Sequence, residues 1–360
     1  MIFFVHVALN NYPFLRKIST FSVQVHSLYK LVLNYGGPSP GQGCDTIMSK
    51  SSFSLTIIIP TKDRVQILSE LLESIKALID LNGICPAIIV ADNGSEDSTF
   101  EQVTSLARNF PVPLNVIKVL RPGKSAAVNE AVKIAHGEFL AFLDDDVVVE
   151  RNWLSAVEEF FQDGRFQVGQ GAIHLPPSAN PHTLHLVDLY RTVPRIAYDD
   201  TVSTLHSLNG ANFFITRELF HRVGGFDERL GPGAAGTSED VELAWRLIRS
   251  GAAIGYAPKA MVFHRIDPSR LTEEYFRQSH RRQGASRFAI REHGRLEIYS
   301  DLWRAVNQYA FYALLGKKRS RYRSKGRIYH YLGMLEARRQ AQQSGQVQHE
   351  LAARSPSLFK

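Results

Sequence analysis

Two hydrophobic periods take turns along this chain. Leu55 to Ile59 is an apolar, β-rich run, the pattern of a strand covered on both faces. From Val65 to Leu81 the apolar positions are Leu68, Leu71, Leu72, Ile75, Leu78 and Ile79, which is helical spacing, and Gly83 closes the segment. Ala87 to Ala91 is a second strand. Ser98 and Glu101 form a capping-box pattern for a helix reaching about Asn109. Leu114 to Val119 is a third strand, Ser125 to Ala135 a helix stopped by Gly137, and Leu140 to Leu143 a fourth strand. This β-α-β-α-β-α-β alternation predicts an α/β fold: a mostly parallel central sheet with helices on both faces.

The second half is less regular. The pattern predicts a helix from Asn152 to Phe161, a strand from Phe166 to Ile173, and irregular chain over 174–207, where prolines stand at 176, 177, 181 and 194. Asn209-Gly210-Ala211-Asn212 leads into an apolar strand ending at Thr216. A short helix spans Glu218 to Val223. A helix from Glu239 to Ser250 is capped by Thr237 or Ser238 and closed by Gly251. A strand near Met261 to Phe263 ends at His264. No internal repeat is visible.

In such sheets ligands sit at the carboxyl ends of the strands. Three polar clusters fall there: Pro60-Thr61-Lys62-Asp63-Arg64, Asp92-Asn93-Gly94-Ser95, and Asp144-Asp145-Asp146. Each alone has an ordinary reading as a turn or a cap. Three consecutive carboxylates after the apolar run Leu140–Leu143 need donors or a cation, and a hard divalent ion with oxygen ligands suits them. Gly231, Gly233 and Gly236 spell G-x-G-x-x-G, but no buried strand precedes them and no acid follows at ribose-binding distance. The dinucleotide reading fails, and a loop able to close over a substrate is the better account. Glu239 and Asp240 occupy a helix first turn, where the dipole favours their ionised forms and a general base can work. Beside a carboxylate-held metal, His264 becomes a further ligand.

Taken in order, these motifs resemble the family 2 glycosyltransferases of the GT-A fold over roughly residues 53–290. Thr56 to Arg64 looks like the opening strand and loop. Val90 to Asp97 looks like the second nucleotide-binding turn. Lys124, Ala127 and Asn129 lie in a helix start similar to the family's basic-Ala-x-Asn segment, although Ala126-Ala127 stand where many relatives carry an Arg nearby. Leu143 to Asp146 looks like the DXD motif. Gly224 to Glu228 and Ser238 to Arg246 look like the acceptor-side segment and the Glu-Asp motif.

The resemblance implies inverting transfer of a sugar from a nucleotide diphosphate to a hydroxyl of a polysaccharide or glycolipid precursor. It assigns the nucleotide to Pro60, Thr61, Asp63, Arg64, Asp92, Asn93, Lys124, Asp144 and Asp145, with the Asp145 side chain pointing elsewhere. It assigns Mg²⁺ or Mn²⁺ to Asp146 and His264, and the base to Asp240 with Glu239 as the alternate. Gly210, Ala211, Gly225 and Trp245 would meet the sugars, and Arg281, Arg282 and Gln283 a phosphate. A metal-dependent nucleotidyltransferase is the rival enzyme, and a non-catalytic nucleotide-sugar or membrane-binding module the rival from another class.

Composition adds little for the body of the chain and more for its end. Of 360 residues, 44% are hydrophobic and 21% charged, ordinary for a globular protein. The net charge is +7, yet residues 302–360 hold 12 basic and 2 acidic side chains, against 30 and 33 before them. The basic excess belongs to the C-terminal extension, 291–360. Trp303 to Leu315 is aromatic and apolar, and Lys317 to Arg327 has seven basic residues in 11. Together they suit an anionic membrane surface, on the cytoplasmic side; the alternative is a helical pair packed on the domain. Nucleic acid is not an expected partner, since no module for it is recognisable. Cys44 and Cys85 form neither a metal spacing nor a disulfide framework, which fits a reducing compartment. Residues 1–50 read as a poorly structured extension, with Met48 as the expected true start.

Overall fold

The computed structural model describes residues 53–354 except Gly83, Asp200, Ala235 and Glu292, with side chains described as far as residue 343 apart from 80–82. The extension 1–50 and the expectation about Met48 lie outside the described residues. Among the described residues nine strands form one sheet: β1 (Leu55–Thr61), β2 (Ala87–Asp92), β3 (Leu114–Lys118), β4 (Phe139–Leu143), β5 (Val147–Val149), β6 (Val168–His174), β7 (Thr204–Leu205), β8 (Asn212–Thr216) and β9 (Ile254–His264). Their order is β3-β2-β1-β4-β8-β6-β9-β5, with β7 paired to β9. The first four strands are parallel, as the β-α-β alternation requires. Beyond β4 the sheet is mixed: β8 runs antiparallel to β4 and β6, and β9 is parallel to β6.

Helices α1 (Val65–Asn82), α2 (Thr99–Ala107) and α4 (Trp153–Gln162) cover one face, burying Leu68, Leu72, Val103 and Trp153 against Ile57, Val90 and Ala141. Helices α3 (Lys124–Lys133), α6 (Arg217–Val223) and α7 (Glu239–Arg249) cover the other, burying Ala127, Phe220 and Leu243 against Ile58, Ile89 and Phe142. Alternate residues of β1 and β2 therefore serve opposite cores, the reason those strands read as unbroken apolar runs.

Four local expectations are corrected. The segment 174–207 is not wholly irregular: α5 (Pro181–Tyr190) starts at an Asn180 side-chain cap, with Pro181 in the first turn. The capping box at Ser98 does not form; Asp97 Oδ1 accepts from Thr99 N–H instead. Neither Thr237 nor Ser238 caps α7 through its side chain; Ser238 precedes it in a left-handed conformation. Cys85 is disulfide-bonded, so the cysteines give no argument for a reducing compartment; Cys44 lies outside the described residues.

The C-terminal region is three helices, α8 (Glu273–Ile290), α9 (Arg295–Leu314) and α10 (Lys318–Arg354). Glycines let α8 and α10 pack backbone to backbone. A Cβ on Gly284 would stand 1.9 Å from the His330 carbonyl oxygen, and one on Gly333 2.1 Å from that of Arg281. Phe288, Ile298 and Met334 form a small separate core.

One buried amide ties the sheet together. Asn212 accepts from Trp153 Nε1 at 3.0 Å and donates to the carbonyls of Ala172 and Ala260 at 2.9 and 2.8 Å. Asn212→Ala leaves these three groups unpaired, at a cost of about 1 kcal/mol or more each. We expect urea denaturation to show a loss of about 3 kcal/mol; an unchanged midpoint would refute this account of Asn212.

Candidate functional site

Strand register brings the polar clusters together. β1 pairs in parallel with β4, Ile58 beside Phe142, so three residues on Thr61 is level with Asp145. Thr61 Oγ1 donates to Asp145 Oδ2 at 2.8 Å, and Arg64 donates to Asp145 Oδ1 at 2.8 Å and to Asp146 Oδ2 at 3.4 Å. Burial pushes the Asp145 carboxyl up to about 6, against the pull of Arg64. Asp145 is thus turned back onto β1 and its loop.

The same logic joins Asp146 to His264. β5 begins immediately after the carboxylates and pairs with β9, Val147 opposite His264. The Arg265 N–H donates to the Asp146 carbonyl at 2.8 Å, fixing the corner. His264 Nδ1 is 2.7 Å from the Arg265 carbonyl oxygen, which can only accept, so Nδ1 carries the proton. The other ring nitrogen, Nε2, lies 3.3 Å from Asp146 Oδ1. That oxygen is buried and has no hydrogen-bond partner.

β8 runs antiparallel to β4, Asn212 opposite Leu143, which brings Gly210 beside the carboxylates. A Cβ there would stand 3.0 Å from Lys124 Nζ and 4.0 Å from both Asp144 Oδ1 and Asp240 Oδ2. Lys124, at the start of α3, hydrogen-bonds Asp144 Oδ1 and lies 3.6 Å from Glu239 Oε1. Burial alone would lower the Lys124 ammonium, but Asp144 and Glu239 raise it well above its usual range. Burial would raise Asp144, yet Lys124 holds it below the ordinary carboxylate value. Asp240 Oδ2 accepts from the Gly210 N–H at 3.0 Å and Oδ1 from the Val241 N–H at 2.8 Å. Burial raises Asp240 despite these bonds and Lys124. Glu239 is more deeply buried and is pushed up to about 7, first by burial and further by Asp240.

Two spaces meet at this cluster. A groove of about 560 Å³ is lined by Pro60, Thr61, Asp63, Arg64, Asn93 and the three aspartates. A chamber of about 870 Å³ is lined by Gly210, Glu239, Asp240, Trp245 and Gln283, among others. Lys124, Asp144, Pro232 and Arg270 line both, and so form the wall between them.

Several residues expected in the site also hold partners within the protein, and some of them line neither space. Asp92 is fully buried and off the groove wall; its Oδ1 accepts from Ser95 N–H at 2.7 Å, and its Oδ2 has no partner. Asp63, at φ 52°, uses Oδ1 to hold the Glu96 N–H, tying the first loop to the second. Asn93 lines the groove, but its amide bonds the Val119 and Arg121 carbonyls and the Gly123 N–H. Ala211 is in the core and meets no sugar-sized space. Gly225 lines neither space: its carbonyl accepts from Arg246 at 2.6 Å, and a Cβ would press on Asn129 Oδ1 at 2.9 Å. Arg281 is corrected as a phosphate ligand, since it pairs with Glu336 of α10 at 2.9 Å. Arg282 lies over the Tyr275 ring and also misses both spaces. Only Gln283 of the three faces the chamber.

Arg270 was not singled out by the sequence. It reaches Asp146 Oδ2 at 3.0 Å from a 3₁₀ turn, Pro268–Leu271. A lone arginine in a short loop carries no periodicity that would distinguish it. Arg287, stacked 4.4 Å over Trp245, is likewise visible only in three dimensions.

Glu239 gives a stability test. Folded, it holds its proton more tightly than at its ordinary value of 4.5, so the stability it contributes is present at low pH and lost as pH rises towards about 7. Relative to wild type, Glu239→Gln should gain melting temperature between about pH 4.5 and 7 and level off above. A pH-independent difference between the two proteins would contradict the burial argument.

Comparison with known proteins bears on the family and the fold. The family model described as "Glycosyl transferase family 2" matches residues 56–224. A pre-mycofactocin glycosyltransferase of Mycobacterium tuberculosis is 30% identical over 220 residues, covering 58% of this chain and 42% of that protein. The chain therefore spans less than half the length of that relative. The succinoglycan biosynthesis protein ExoM of Rhizobium meliloti is 27% identical over 232 residues, 63% of this chain and 71% of that one. Among solved structures, the mannosyltransferase PcManGT from Pyrobaculum calidifontis, in complex with GDP-Man and Mn²⁺, superposes with a TM-score of 0.55 at 17% identity, over 82% of this chain and 92% of that one. Residues 56–224, a little under half of this chain, thus match the glycosyl transferase family 2 model, and the chain takes the GT-A fold.

Proposed function

We propose that the protein is an inverting glycosyltransferase that takes a sugar from a nucleotide-diphosphate donor to an acceptor hydroxyl. The observation that carries this reading is the shared wall. A carboxylate-rich groove and a larger chamber meet at Lys124 and Asp144, and Asp240 faces the chamber beside that junction.

In this reading the nucleotide lies in the groove, against Pro60, Thr61, Asp63, Arg64 and Asn93. Lys124, kept cationic by its carboxylate neighbours, supplies fixed positive charge where the diphosphate departs. Asp240, oriented by the Gly210 N–H, takes the proton of the acceptor hydroxyl. The hydroxyl oxygen bonds to the anomeric carbon as the bond to the diphosphate breaks, from the opposite face, and configuration inverts. Glu239, held near neutrality in pKa and more deeply buried, is the weaker candidate for the base.

The residues fit a divalent metal. Asp146 Oδ1 is buried without a hydrogen-bond partner and lies 3.3 Å from His264 Nε2. Among the described residues no three His, Cys, Asp or Glu groups gather as a metal site, so other ligands would come from the donor and water. Such an ion, Mg²⁺ or Mn²⁺, supplies charge stabilisation to the leaving diphosphate. Arg64 and Arg270, both on Asp146 Oδ2, hold that carboxylate in place.

The proposed setting is the cytoplasmic face of an anionic membrane. Leu296, Trp303 and Leu314 of α9 recur at helical spacing and are 85%, 69% and 88% exposed, and the basic run Lys317–Arg327 follows directly. Among the described residues no helix is long and apolar enough to cross a membrane. Vesicles containing phosphatidylserine should sediment the protein, and neutral vesicles should not. Trp303→Ser with Leu314→Ser should reduce this about tenfold; equal sedimentation of variant and wild type would remove the membrane from the proposal.

Asp240→Asn is expected to lower transfer at least a thousandfold while the thermal shift with a nucleoside diphosphate and Mn²⁺ persists. Because burial raises Asp240, transfer by the wild type should fall on acidification at a pH above the ordinary carboxylate range. Loss of nucleotide binding in the variant would take Asp240 out of the base role. No Mn²⁺-dependent shift with any nucleoside diphosphate would sink the whole reading.

A further inference from the structure

The chamber does not end at its own wall. Arg191, Val193, Pro194, Ile196 and Asn209 line it and also line an adjoining recess of about 450 Å³. Into that recess come Arg195, from the chain after α5, and Arg319 and Arg323, from the first two turns of α10. Four arginines thus line one concave space, and Asp188 is its sole acidic lining residue among the described residues. Asp188 is shared: Oδ2 lies 3.1 Å from Arg319 and Oδ1 3.7 Å from Arg195. No carboxylate among the described residues is within ion-pair distance of Arg191 or Arg323. The lining carries a net charge of +3 from four cations and one anion, and a concave wall of one sign concentrates its field inwards.

The placement is specific in two further ways. Arg191 ends α5 with φ 56°, a left-handed conformation usually given to glycine at that position. For a side-chain-bearing residue this conformation is strained, and such strain concentrates at binding sites. The recess also shares no residue with the donor groove, so the donor diphosphate does not account for it.

We propose that this recess binds a phosphate or diphosphate group carried by the acceptor, while the acceptor's sugar hydroxyl lies in the chamber at Asp240. Planar guanidinium groups match phosphate oxygens in pairs, and among the described residues no carboxylate pairs with Arg191 or Arg323. The acceptor is then a phosphorylated glycan or a glycan on a lipid phosphate, and a phosphoryl-group transfer must precede this reaction. The proposal rests on the glycosyl-transfer reading, but its binding step can be measured without transfer.

Calorimetry of the full chain with inorganic pyrophosphate in EDTA is the test. Wild type should bind, and Arg191→Ala with Arg323→Ala should weaken binding at least tenfold, whereas Lys62→Ala, on the donor groove and not on the chamber or the recess, should leave it within about twofold. Arg191→Lys with Arg323→Lys keeps the charge and should recover part of the affinity; circular dichroism reports whether each variant is folded. A nucleoside diphosphate with Mn²⁺ should shift the melting temperature of the double alanine variant as it does wild type. If that shift is missing in both proteins, the glycosyl-transfer reading has failed, separately from the pyrophosphate result. Tighter binding of geranyl diphosphate than of pyrophosphate supports a lipid-borne phosphate, and equal binding supports a soluble one. No pyrophosphate binding by wild type, or equal binding by the double alanine variant, overturns the proposal.

Discussion

Lys124 is the charge on which the site depends. Asp144, Glu239 and Asp240 converge on it from β4 and α7, in surroundings that exclude much of the water. One ammonium cannot offset three carboxylates. It pairs closely with Asp144, which stays ionised, and leaves Glu239 and Asp240 with raised proton affinity. Asp144 thereby differs in character from the two acids of α7. Removing such a cation leaves carboxylates buried without compensation, which costs far more than the pair itself contributes. The backbone around Lys124 is fixed accordingly. Its N–H donates to the Pro232 carbonyl at 3.0 Å, and Ser125 Oγ donates to that of Leu230 at 2.8 Å. The glycine-rich segment is thus strapped to the start of α3, and Gly233 packs against Gly123 where a Cβ would stand 3.1 Å from its Cα.

A second constraint is the change of sheet direction after β4. The chain leaves the parallel half at Leu143 and re-enters at the far edge as β5, beside β9. Asp144, Asp145 and Asp146 span that passage, so each meets a different neighbour: Lys124, then Thr61 and Arg64, then His264 and Arg270. Three identical residues in a row are given three environments by the strands on either side. Gly210 belongs to the same arrangement, because β8 delivers it to the point where a side chain would fill the space between Lys124 and Asp240.

The C-terminal helices extend the site. α8 supplies Tyr275, Gln283 and Arg287 to the chamber wall, and α10 supplies His330. Glycines at 284 and 333 permit the close contact that holds these two helices together. The basic run at the start of α10 is divided between roles: Lys325 pairs with Glu273 at 2.6 Å, Arg319 with Asp188, and Arg323 faces the arginine recess. The outer face of α9 stays apolar and exposed.

The amino-acid sequence by itself determined the alternation of elements through α3 and β4, the parallel half of the sheet, and the strand-end positions of Thr61, Asp63, Asp144 and Asp146. Those follow from periodicity and from the rule that polar residues ending buried strands mark one edge, both local properties. It also set Glu239 and Asp240 apart by their place in a helix first turn, and the family resemblance pointed to Asp240 between them. Tertiary structure alone decided the rest. The α5 helix was hidden because prolines read as breakers although Pro181 sits where a helix tolerates one. Ala211 and Gly225 stand in the matched motifs yet face the core and a backbone bracket, since a motif preserves order along the chain and not side-chain direction. Arg64, Arg270 and His264 meet at Asp146 from positions up to about two hundred residues apart, and the arginine recess joins α5 to α10. Such meetings are set by sheet order and helix packing, which no local pattern encodes.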